Sequence, residues 1–187
     1  MKIRNGFVSN SSSSSFLILK NGEMNKEELQ KYLFEDRDFF ESFYNRDQKT
    51  SVKDAMEILF NDVQEPVEKE ELEETLGGLL YSWCNSFEMG RFFYNYKSYK
   101  EKTLKEIKEF EEIFHIFIDP KELENIDLDA KKGGGYDRIQ PLVKELAEKL
   151  FNKVYLVEYC DDYGDIEAEL EHNVMIKAKH TFRINNH

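Results

Sequence analysis

Cysteine and proline are scarce in this chain of 187 residues: two cysteines, Cys84 and Cys160, and three prolines. Two cysteines make neither a disulfide framework nor a zinc site by themselves. Cys84 follows Trp83 on an apolar helical pattern and reads as a small core residue. Cys160 stands beside Asp161 and Asp162, whose charge opposes thiolate formation, and no Cys–His arrangement accompanies it. Long apolar runs are missing too, so nothing comes near the roughly 18 residues of a membrane span. Lys2 and Arg4 could begin a signal peptide, but serines stand where its apolar stretch would be. These absences read as a cytoplasmic protein that does not enter a membrane. Basic charge is also in deficit: 26 Lys and Arg face 38 Asp and Glu, for a net charge of −12. Sequence-independent binding to duplex nucleic acid needs clustered cations and is disfavoured.

Apolar residues are not lacking. At 40% hydrophobic, with 15 Phe and 10 Tyr, the chain can fill a core and should fold as one domain over residues 1–187. Residues 1–15 stand apart as a serine-rich leader. Ser9 and Ser11, Ser12, Ser13, Ser14 and Ser15 are held between Phe7-Val8 and the apolar stretch Phe16 to Leu19. Pure serine runs usually mark flexible tails. This one is framed by apolar residues, so three uses compete: small residues packed at a bend, an anion cradle, or a recognition and modification segment. The anion cradle is the weakest, because a strand follows and no helix dipole assists it.

Gly6-Phe7-Val8-Ser9-Asn10 with Ser11 to Ser15 and Phe16 resembles a leader shared by a group of uncharacterised bacterial and phage proteins. Tyr159-Cys160-Asp161-Asp162-Tyr163-Gly164-Asp165, Glu171-His172, His180 and Arg183-Ile184-Asn185-Asn186-His187 are similar to that group's closing motifs. Asn173 and Lys179 depart from the pattern, which has Gly and Pro there. The resemblance covers the two ends and implies no known activity.

Strand signals occur at 16–20, 154–159 and 179–184, near both ends, with helical patterns between them. Asn25 caps a helix over 26–34, and Asp36 should start another through Tyr44. Ser51 with Asp54 resembles a capping box, and Pro66 sits where a first-turn proline belongs. Leu72, Leu76, Leu80, Trp83 and Phe87 keep helical spacing across Gly77-Gly78, a pair that implies close packing or a kink. Further helices are expected over 98–114 and 139–151, with 114–118 an alternative strand stopped by Asp119-Pro120 and Gly133-Gly134-Gly135 a connector. The fold class is α+β: a small mixed sheet from both chain ends, packed on a helical middle.

Two chemical candidates follow. Asp161, Asp162, His172, His180 and His187 gather carboxylates and imidazoles near the C-terminus, able to hold a divalent transition metal and activate water. A small metal-dependent, hydrolase-like enzyme is therefore one reading, although the spacing matches no metal signature. Residues 91–108 carry six basic and two acidic residues among aromatics, a pattern able to stack unpaired bases. The leading expectation is a binding or interaction protein whose partner is another protein, drawn to the acidic stretch from Glu65 to Glu74.

Overall fold

Strand β1 (Ser13–Leu19) is the axis of the structure, and it incorporates the end of the serine run. It pairs antiparallel on one side with β4 (Val154–Cys160) and on the other with β5 (Thr181–Asn185). A computed structural model describes residues 13–19, 25–42, 47–64, 67–89, 96–128, 135–160, 165–175, 177–178 and 181–185. The α+β class holds, with a sheet that is antiparallel throughout where a mixed one was expected. Among the described residues no helix is long and apolar enough to cross a membrane.

Side chains alternate across β1, and this alternation builds two cores. Leu17 joins Val154, Leu156, Phe182 and Ile184 beneath α3 (Lys69–Met89), α4 (Tyr96–Phe114) and α6 (Gly135–Leu150). Trp83, Phe110 and Phe182 meet edge to face there, with centroids 5.3–6.2 Å apart. Phe16 and Ile18 point the other way, with Val157 and Tyr159, against α1 (Lys26–Phe34) and α2 (Val52–Gln64). The sheet is thus covered by helices on both faces.

Local chemistry explains most boundaries. Asn25 and Glu28 form a full capping box on α1. Ser51 Oγ accepts from Asp54 N at 3.4 Å, half of the box expected at α2. Asp119 and Pro120 do not stop a strand. They cap and open α5 (Pro120–Glu124), because the Asp119 carboxylate accepts from Lys121 N and proline suits the first helical position.

The helix expected over 36–44 is absent. Phe39–Glu41 is strand β2, paired with β3 (Lys49–Ser51). Phe39 is 56% exposed while Phe40 is buried against Phe34 at 5.6 Å, an alternation only a strand provides. Val52 N donates to Asp38 O and clips this hairpin to the start of α2. The expected first-turn proline Pro66 lies outside the described residues, and α3 begins at Lys69.

Candidate functional site

The serine run enters the interior. Ser14 and Ser15 are buried, and their hydroxyls point to opposite faces of β1. Ser14 Oγ donates to Glu171 Oε1 at 2.6 Å and accepts from Arg183 Nη2 at 2.6 Å and Nε at 3.0 Å. Glu171 is fully buried on the π-helical turn Leu170–Met175 that continues α7 (Asp165–Glu169). This network ties β1, β5 and the π-turn together. Ser15 Oγ donates to Glu158 Oε1 on β4 at 2.8 Å. Ser13 contributes backbone pairing to Cys160, while Ser9, Ser11 and Ser12 lie outside the described residues.

Of the five residues expected to form a metal or catalytic cluster, Asp161, Asp162, His180 and His187 lie outside the described residues. His172 is half-buried on the π-turn. Among the described residues, no group of three or more His, Cys, Asp or Glu side chains could hold a metal ion. Cys84 is buried, and burial, seconded by the Glu88 charge, pushes its thiol up to about 11. The Tyr159 phenol is buried with its hydroxyl 3.3 Å from Asp62 Oδ2, and burial raises it well above its ordinary value.

The basic, aromatic stretch is only partly described, since residues 91–95 fall outside. Its α4 lysines are matched charge for charge. Lys97, Lys102, Lys105 and Lys108 each pair with the glutamate four residues on, and Lys100 pairs with Glu124 at 2.8 Å. Such exposed pairs contribute little to stability, but they neutralise the stripe that would attract a nucleic acid strand. Gly133 and Gly134 lie outside the described residues. Gly135 opens α6, and a Cβ there would come within 2.8 Å of the Leu128 carbonyl oxygen, so close packing requires glycine.

The described residues line clefts of opposite character. The first, about 660 Å³, is lined by Glu71, Glu74 and Glu158 with Thr75 and Tyr136. The second, about 690 Å³, lies between the β2–β3 hairpin and residues 173–177, and it is basic. Arg37, Lys49 and Lys177 line it beside Phe39, Ser42 and Asn173, with Glu41 the one carboxylate among the described lining residues.

Its polar groups are held in place. Arg37 Nε donates to Phe34 O at 2.8 Å and its Nη2 to Leu33 O at 3.5 Å, capping the end of α1 at the edge of the cleft that Arg37 lines. Asn173 Nδ2 donates to Glu41 O at 2.8 Å and to Glu169 Oε2 at 2.7 Å, while its Oδ1 accepts from Lys177 Nζ at 2.9 Å. The Ser42 hydroxyl donates to Glu169 Oε1. Glu169 is 3% exposed, a carboxylate behind the cleft wall rather than in it. Arg37, Lys49 and Lys177 form no ion pair with a described carboxylate, unlike every α4 lysine between Lys97 and Lys108.

The sequence offered almost no sign of this cleft. Its cations come from three separate segments, and Arg37 lay inside a stretch that reads as helix. Only Asn173 stood out, as a departure from the resembled pattern. No protein-family model, curated protein or solved structure matches the chain.

Proposed function

We propose that the chain is a binding protein that holds an anionic group in the cleft of Arg37, Lys49 and Lys177. The observation that carries this reading is the convergence of three cations that form no ion pair with a described carboxylate, in a chain of net charge −12. The acidic remainder of the surface repels anions in general, so an anion is attracted only where local positive charge prevails. Field and shape together then give selectivity. A protein partner belongs to the same proposal through the acidic first half of α3, where Glu70, Glu71, Glu73 and Glu74 suit a basic face.

The serine leader has a narrower place in this reading. Ser14 and Ser15 are committed to the interior, so recognition or modification falls to Ser9, Ser11, Ser12 and Ser13.

The test is thermal unfolding with and without inorganic phosphate at constant ionic strength, followed through the single tryptophan, Trp83. A ligand at 100 times its dissociation constant stabilises the native state by about 2.7 kcal/mol. The wild type should gain that stability, and the Lys49→Ala/Lys177→Ala double variant should not. An equal gain in both removes the cleft from the proposal.

A further inference from the structure

The composition of the basic cleft narrows its ligand. Lys49 carries three ammonium donors, Lys177 has two left after its bond to Asn173, and Arg37, with Nε on Phe34 O and one Nη2 N–H on Leu33 O, keeps its remaining guanidinium N–H groups. That is donor capacity for a dianion with several acceptor oxygens, as a phosphate monoester is, more than for one carboxylate. The cleft is also larger than inorganic phosphate needs: about 690 Å³ lies in the range of small-molecule sites. Beside the cations lies the Phe39 ring, 56% exposed, while its neighbour Phe40 packs inward on Phe34. A solvent-facing aromatic in a charged cleft offers a stacking surface for a planar ring.

We propose that the cleft binds a nucleoside monophosphate, its phosphate among Arg37, Lys49 and Lys177 and its base against Phe39. This deepens the proposed anion-binding function and rests on it. Glu41 gives the pairing its third element. It faces Lys49 across the β2–β3 register and puts an acceptor into an otherwise donor-rich cleft, where a sugar hydroxyl or exocyclic amine can donate to it. The same carboxylate, with Glu169 behind the wall, works against a polyphosphate chain.

Calorimetric titration of the full chain decides the matter, with inorganic phosphate, adenosine 5′-monophosphate and adenosine at fixed ionic strength. The monophosphate should bind roughly ten-fold or more tightly than phosphate, since one stacked base contributes about that factor. Phe39→Ala should remove most of the difference and leave phosphate binding unchanged. Lys49→Ala/Lys177→Ala should weaken both, with the Trp83 emission spectrum confirming that each variant is folded. Equal affinity for phosphate and monophosphate overturns the base contact and leaves the anion-binding reading standing. Loss of all binding in the wild type overturns both. A 5′-phosphorylated oligonucleotide is titrated alongside, and tighter binding than the monophosphate assigns the site to a nucleic acid end and overturns the free-nucleotide reading.

Discussion

Gly77 and Gly78 are adjacent in α3, yet alanine should act on them with opposite sign. At Gly78 an added Cβ meets nothing within 4 Å, and the site is exposed in a helix interior. Gly78→Ala should therefore stabilise by about 1 kcal/mol, the propensity difference, and raise Tm by roughly 2–4 °C for a chain of this size. At Gly77 the Cβ would stand 2.1 Å from Tyr136 Oη and 2.8 Å from its Cζ. The ring has to leave. Tyr136 is 42% exposed and stands in the first turn of α6, so it can swing into solvent and lose its buried half. About 100 Å² at about 25 cal/mol/Å² is some 2.5 kcal/mol, nearer 2 once a compact unfolded chain is allowed for. Against a propensity gain of about 1 kcal/mol, Gly77→Ala should destabilise by about 1 kcal/mol.

The coupling is the sharper test. In a Tyr136→Ala background the obstruction is gone, so Gly77→Ala should turn stabilising by about 1 kcal/mol. Urea unfolding read by Trp83 fluorescence measures all four corners of the cycle, and an unchanged m-value keeps the comparison two-state. Trp83 is 1% exposed and reports the core rather than Tyr136 itself. If Gly77→Ala stabilises as much as Gly78→Ala with Tyr136 present, the ring does not rest on Gly77 and the reasoning fails.

Ser14→Ala should cost about 1–3 kcal/mol in urea unfolding, because it strips the buried Glu171 carboxylate of its hydroxyl donor; Ser15→Ala, whose partner Glu158 is exposed, should cost less. Cys84 should resist iodoacetamide in the folded protein at pH 8, as tryptic mapping will show, and react once the chain is unfolded in urea. Its raised thiol pKa means the contribution to stability is complete below pH 9 and is lost as pH rises through about 11, so the urea midpoint should fall on that alkaline side. Any covalent modification that a denatured mass spectrum finds in the leader should map to Ser9, Ser11, Ser12 or Ser13, and a modified Ser14 in folded protein would contradict its burial. Glu35 holds a φ of 58° at the end of α1, a conformation suited to glycine, and Glu35→Gly should raise Tm by a few degrees at most.

Elements defined by local chemistry were legible in the sequence. The Asn25–Glu28 capping box, the apolar face from Ile139 to Leu150 and the apolar strands 16–19 and 154–159 all needed only neighbouring residues. The β2–β3 hairpin did not show, because Phe39, Phe40, Phe43 and Tyr44 keep a spacing compatible with a helix. Only packing of Phe40 on Phe34 and pairing with residues 49–51 select the strand. Asp119-Pro120 was legible as punctuation, but a capped first turn and a strand end use the same two residues. The serine frame was visible as well. What Ser14 does was not, since its partners Glu171 and Arg183 lie 157 and 169 residues away.

The cleft was hidden for a related reason, and the segment 169–173 shows why. Glu169 and Glu171 are two residues apart, both buried, and they serve opposite ends of the architecture. Glu171 turns to β1 and β5 through Ser14 and Arg183. Glu169 turns to the hairpin, holding Ser42 and the Asn173 amide that fixes Lys177. The widened π-turn begins between them, a distortion frequent at functional sites. One short segment thus anchors the central strand and orients the wall of the basic cleft. In a chain this acidic, these carboxylates act as internal acceptors for donors from three other parts of the sequence, β1, β5 and the hairpin. Charge counting along the chain therefore pointed to an acidic binding surface, whereas the fold gathers Arg37, Lys49 and Lys177 at one cleft with no ion pair to a described carboxylate.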